Sequence, residues 1–147
     1  MAVQTVYNEN QPAGKQGAIV DMSPRSLMSR TVETAAGIAF GVAVEQGTAD
    51  EGCKVYDGGT ILGFTVRERS LVAEADKFAQ YESARIMIGQ GTFWAVATVD
   101  VAAGDPVYIR PSNNTFQKDN TNSGVQYPGA RYDSSATAGN LVKVRLT

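Results

Sequence analysis

The sequence predicts an all-β protein: a small β-barrel or β-sandwich body with an extended N-terminal arm and long polar loops. Three observations predict it. From Ala35 onward apolar residues recur with period two, the spacing that places alternate side chains on opposite faces of a strand. Gly and Asp residues suited to tight turns punctuate these runs at short intervals. The chain of 147 residues, 43% apolar and 19% charged, is long enough to bury one core and too apolar for wholesale disorder. No stretch has the length and apolarity of a membrane-spanning helix.

Residues 1–34 read as the arm and residues 35–147 as the body. The arm is rich in Gln, Asn, Pro and Gly at first, then carries the apolar pair Ile19 and Val20, followed by Met22, Leu27 and Met28. Ser23-Pro24 has the composition of a helix start, but the irregular apolar spacing after it leaves that turn undecided. In residues 38–45, Ile38, Phe40, Val42 and Val44 share one face, and Ala39, Gly41, Ala43 and Glu45 the other. Residues 46–52 form a polar loop. Leu62, Phe64 and Val66 then alternate with Gly63, Thr65 and Arg67, and Asp57-Gly58-Gly59 supplies a tight turn, which predicts a hairpin over 53–66.

Residues 67–83 have two readings. Leu71, Ala75, Phe78 and Ala79 fall near one helical face, and a long polar excursion fits equally well. Strand patterning returns at 84–88, 92–101 and 106–110, joined by Gly89-Gln90-Gly91 and Ala103-Gly104-Asp105, as in a meander or small barrel. Phe93, Ala95, Ala97, Val99 and Val101 line one face of the second of these runs, while Trp94 and Val96 make the other face partly apolar. Such a strand is covered on both sides, by the 67–83 segment or by another subunit. Residues 112–139 read as a long surface loop anchored by Phe116, Tyr127 and Tyr132. In the last run, 141–147, Val142, Val144 and Leu146 face inward and Lys143 and Arg145 outward.

The composition excludes much chemistry. There is no histidine and one cysteine, Cys53, so an internal disulfide, a cysteine zinc cluster and the Ser-His-Asp and Cys-His mechanisms are absent. Gly89 and Gly91 begin like a dinucleotide fingerprint, but the third glycine is missing and a strand follows. Residues 119–124 offer oxygen ligands, yet Thr121 breaks the calcium-loop pattern and no glutamate closes it. A two-acid hydrolase site is defined in space and leaves no mark in the sequence. Cys53, between Gly52 and Lys54, reads better as a buried thiol than as an activated one. No catalytic, cofactor-binding or metal-ligating residue is assigned. Thirteen Lys and Arg against fifteen Asp and Glu give a net charge of −2, with the basic residues scattered, which predicts neither direct nucleic-acid nor membrane partners. Residues 1–10 lack the basic start and apolar stretch of an export signal, so cytoplasmic synthesis is expected.

Across most of its length the chain resembles the structural cement, or capsid decoration, proteins of tailed bacteriophages. The resemblance is carried by PAGKQGAIVDM in the arm, then SRTVETAAGIAFGVAVEQG, ILGFTVR, VDVAAGDPVYI and the closing SSATAGNLVKVRLT. It implies a homotrimer, made in the host cytoplasm, that binds the outer surface of the assembled head. There it would bridge neighbouring major capsid proteins and stabilise the shell against packaged DNA pressure. Neither catalysis nor a cofactor comes with it. On this reading Ile19, Val20, Met22, Leu27 and Met28 are expected to touch coat or neighbour, and Phe93, Trp94 and Ala95 to lie in the core or at a trimer seam. The alternative is a glycan-binding or tail-fibre-like virion module that uses exposed Tyr and Trp rings.

Overall fold

A computed structural model describes residues 3, 5, 14–67, 76–111 and 113–147. The first lobe comprises β1 (Leu27–Val32), β2 (Ile38–Ala39), β3 (Ala43–Gln46), β4 (Gly52–Val55), β5 (Ile61–Thr65), β6 (Lys77–Phe78) and β7 (Ser83–Met87). The second comprises β8 (Gly91–Val96), β9 (Pro106–Arg110), β10 (Thr115–Gln117), β11 (Val125–Tyr132) and β12 (Leu141–Leu146). The expected all-β class is what the chain adopts, with no α-helix among the described residues.

Five strands of the first lobe close into a barrel in the order β1-β4-β3-β5-β7. Closure depends on β1, which runs antiparallel to β7 and meets β4 in a short parallel pairing at Thr31–Gly52 and Val32–Cys53. Strand alternation then sorts the side chains. Val32, Val44, Cys53, Ala84 and Ile86 share one buried cluster with Ile38, Phe40 and Phe78, the last three coming from the β2–β6 ribbon and the turn after β2. Phe40 and Phe78 meet edge to face at 4.9 Å. Ala43, Phe64 and Met87, register partners on the opposite face of the barrel wall, belong instead to a cluster shared with the second lobe.

The second lobe is an antiparallel sheet in the order β10-β9-β11-β12-β8 that curls until its edges approach. There the Thr98 N–H and hydroxyl both donate to the Phe116 carbonyl, at 3.1 and 2.7 Å. Phe64 enters this lobe from the barrel, stacking on Phe93 at 5.1 Å and lying 5.2 Å from Tyr127 and 5.7 Å from Phe116. Aromatic pairs of this kind contribute about 0.5–1.5 kcal/mol each beyond the area they bury, so Phe64 acts as a rivet between lobes. Tyr132 is fully buried and donates its hydroxyl to the Gln117 carbonyl at 2.9 Å. Burial, with the Asp105 charge in addition, pushes that hydroxyl above the ordinary tyrosine range.

Several local expectations need correction. Residues 38–45 are two strands, broken at Phe40–Gly41 where Gly41 takes a φ of 74°. Residues 53–66 are no hairpin, because β3 lies between β4 and β5 and pairs with both. The segment 112–139 holds β10, β11 and a 3-10 turn over Thr121–Ser123, although its anchors Phe116 and Tyr132 are buried as expected. Of the helical face proposed in 67–83, Leu71 and Ala75 lie outside the described residues, Phe78 is in β6 and Ala79 in the turn after it. In the last strand the expected alternation holds, with Val142, Val144 and Leu146 buried. Within the segment read as arm, Leu27–Val32 forms the β1 wall of the barrel.

Candidate functional site

Three groups of residues were singled out by sequence: the arm, the strand around Trp94, and Cys53. The arm is anchored on the body by backbone bonds. Gly17 N–H donates to the Trp94 carbonyl at 2.7 Å, Trp94 N–H to Ala18 at 2.9 Å, and Val20 N–H to Thr92 at 3.0 Å, with Ile19 bridging Phe93 in antiparallel sense. Residues 17–20 therefore extend the second sheet at its β8 edge. On the other side Arg67 N–H donates to the Gly17 carbonyl at 2.7 Å, which ties the same segment to the end of β5. The Arg67 side chain adds a bond to the Gln16 carbonyl at 3.1 Å, an ion pair with Asp76 and a position 4.9 Å over the Phe40 ring.

This strap requires glycine. A Cβ on Gly17, whose φ is 80°, would lie 2.5 Å from the Phe40 Cβ. Gly41 crosses it so closely that a Cβ there would sit 2.8 Å from the Gly17 nitrogen. Glycine is the residue that permits both the left-handed φ and such an approach. A Cβ on Gly14 would lie 2.6 Å from Trp94 Nε1, so the arm backbone itself covers the indole. Lys143 Nζ stands 5.5 Å from the ring centroid. The second cover of β8 is thus the arm's glycines and Lys143, neither of which has the apolar signature that sequence reasoning looks for.

Ile19 is half-buried against the second-lobe core and Val20 is 8% exposed. Leu27 packs on the shared core and Met28 on the barrel interior. Phe93 and Ala95 are fully buried within the single chain, and Trp94 is 5% exposed. Met22 alone of this set projects, at 88% exposure. It sits in a turn in which the Asp21 carboxylate accepts from the Ser23 N–H at 2.9 Å and from the Ser23 hydroxyl. Those two bonds hold the Asp21 carboxyl below its ordinary pKa and fix the turn. The other large apolar side chains exposed among the described residues are Val3, Tyr81 and Val125.

The polar groups serve the fold. Cys53 is fully buried, and desolvation, reinforced by the Glu33 charge, pushes its thiol up to about 11, so it is unreactive at neutral pH. Glu45, also buried, accepts from Asp57 N–H at 3.1 Å and Gly59 N–H at 2.7 Å and pairs with Lys54 at 3.2 Å. Burial raises its pKa, but these three partners more than offset that and leave it low. The Glu33 carboxylate accepts from the Thr48 and Ala49 N–H groups at 2.8 and 2.9 Å and pins the 47–51 loop. Among the described residues no cluster of three acidic or cysteine ligands could hold a metal ion. A shallow cavity of about 400 Å³ runs along the strap, lined by Gly14, Gln16, Phe40, Arg67 and Leu141. Of its two cations, Lys15 and Arg67, the second is already committed to Asp76 and the strap.

In fold the chain is similar to a chain of the capsid of Myoviridae phage XM1, with a TM-score of 0.70 at 17% identity, covering 99% of this chain and 97% of that one. A weaker likeness, with a TM-score of 0.47 at 9% identity over 84% of this chain and 95% of the other, is to the head fibre gp8.5 N base of bacteriophage phi29. No curated protein matches. The family described as "Structural cement protein (E217 gp24/Pam3 gp6)" matches residues 3–147. With nearly its whole length matched, the chain belongs to the phage structural cement protein family.

Proposed function

We propose that this protein binds the outer surface of the assembled phage head as a homotrimer, bridges neighbouring major capsid proteins and stabilises the shell against packaged DNA pressure. Family membership over residues 3–147 carries the reading, and that family implies a structural, non-enzymatic role on the virion. The chemistry of the chain is in keeping with it. The carboxylates of Glu33 and Glu45 are engaged in pinning loops, and the cysteine is buried and protonated. A net charge of −2 without a basic cluster suits a site outside the shell, where affinity for packaged DNA would serve nothing. Two stacked β-lobes riveted by Phe64 make a stiff body. The arm's contribution to coat contact falls to Met22, which is held out on a fixed turn, while Ile19, Val20, Leu27 and Met28 hold the arm to its own body.

Trimerisation would multiply modest contacts. Once one protomer is seated, the others bind at high effective concentration, so three weak contacts sum to a durable clamp. The test is to mix purified protein with expanded, undecorated shells of its companion coat protein and sediment them. Binding that saturates at a fixed ratio to coat, by a species that sediments as a trimer when free, is the expected result. Failure to bind correctly expanded shells would overturn the proposal and turn attention to glycans.

A further inference from the structure

We propose that Tyr81 is an anchor that seats its ring in an apolar recess of the coat protein; this rests on the cementing role above and names the contact. The observation is a strained backbone position that carries a large side chain left mostly in water. Among the described residues five non-glycine positions take a left-handed φ: Asp76, Tyr81, Asn114, Asn122 and Ser123. Asn and Asp tolerate that region because their short side chains bond locally, whereas a bulky aromatic is an outlier there. The Asn114 side chain is compensated by long-range bonds, accepting from the Ala43 N–H at 3.0 Å and donating to the Ala43 carbonyl at 2.6 Å. Tyr81, at a φ of 68°, is 78% exposed. Glycine or asparagine would make the same turn without the strain.

The turn is nonetheless rigid. Tyr81 N–H donates to the Val32 carbonyl at 2.8 Å, Glu82 N–H to Ala79 at 3.1 Å, and Ala79 N–H to the Glu82 carboxylate at 2.7 Å. Gln80 Nε2 reaches the Glu33 carbonyl at 3.3 Å. A large ring presented to water on a stiff, strained backbone is what binding needs, because little backbone entropy remains to be lost on docking. Strain retained at an exposed position points to a role outside the fold. The surroundings narrow the partner. Glu33, next to the Tyr81 turn, pins the loop that exposes Asp50 and Glu51, and Arg30 pairs with Glu51 while Lys54 stands near Glu33, so this end of the barrel carries charges of both signs around an aromatic centre. The recess that fits it is apolar, with a polar rim of mixed charge.

The experiment compares wild type, Tyr81→Asn and Tyr81→Phe for melting temperature and for binding to expanded coat shells at two salt concentrations. Tyr81→Asn relieves the strain, so its melting temperature should rise by about 2–4 °C. Its shell affinity should fall roughly 30-fold, the loss typical when a hot-spot aromatic is truncated. Tyr81→Phe keeps the ring and should bind within a few-fold of wild type, and the loss in Tyr81→Asn should be similar at both salt concentrations, as an apolar contact requires. Wild-type binding with Tyr81→Asn unimpaired overturns the anchor and leaves cementing intact. Absence of wild-type binding overturns cementing, and the anchor with it.

Discussion

Residues 17–20 and residues 21–26 follow one another in the chain, yet they answer opposite demands. The first group bonds to β8 on one side and to Arg67 on the other, and its glycine is packed so tightly against Phe40 that no side chain would fit. In the second, Asp21 and Ser23 bond to each other and Met22 is presented to solvent, before Ser26 rejoins the body through bonds to Gln90 and Ile88. On the proposed reading the first group governs stability and the second docking. Substitutions in the two should separate cleanly, with one set moving the melting temperature and the other the affinity for shells.

The largest effect is expected at Gly17. Gly17→Val imposes a β-branched residue at a left-handed φ and drives its Cβ into Phe40, at a combined cost of about 4 kcal/mol. Trp94 is the single tryptophan, so its emission should shift to the red as the strap lifts, a direct optical reading of the same event. Next comes Glu45→Gln, which weakens the charge-assisted bonds from Asp57 and Gly59 and the Lys54 pair, at about 2 kcal/mol in urea melts. Because the folded-state pKa of Glu45 is depressed, its contribution is present above the unfolded value of about 4.5 and is lost as pH falls through the folded one. The stability difference between wild type and Glu45→Gln should shrink over that acidic window and be constant near neutrality. Cys53→Ser places a hydroxyl in the apolar barrel interior and should cost about 1–2 kcal/mol. The native thiol should resist alkylation at pH 8 until the protein unfolds. The smallest stability change, within about 0.5 kcal/mol, is expected for Met22→Ser, which should instead lower shell affinity.

How far the sequence reaches into this structure depends on where each element gets its stability. Strands β9 and β12 were legible because their alternation is complete: Val107 and Ile109, then Val142, Val144 and Leu146, are buried against polar neighbours. Strand β11 was hidden, since it contains Pro128 and Gly129, exposes Val125 and Gln126, and shifts register between Gln126 and Arg131. Its pairing comes from β9 and β12, which no local window contains. The Asp57-Gly58-Gly59 turn is real, but a turn signal does not say that a third strand will lie between the two it joins. The break at Gly41 exists to let Gly17 pass, a contact between residues distant in sequence.

The candidate surface was less legible than the fold for a related reason. Apolar patterning identified Ile19, Val20, Leu27 and Met28, and burial in the chain's own core is what apolar residues most often achieve. Glycines such as Gly14 and Gly17 carry no pattern, although they decide where the arm lies. Tyr81 was invisible because its significance is a backbone angle, and an angle of that kind is legible only once the turn is built.

The central claim is that this protein strengthens a phage shell, and heating tests it most directly. Expanded coat shells should be disrupted in a calorimeter or light-scattering cell with and without saturating protein. A binder that favours the intact shell must raise its disruption temperature, more so as its free concentration exceeds its dissociation constant. The account predicts such a rise, diminished for Met22→Ser. Shells that are fully decorated yet fall apart at the undecorated temperature would contradict it.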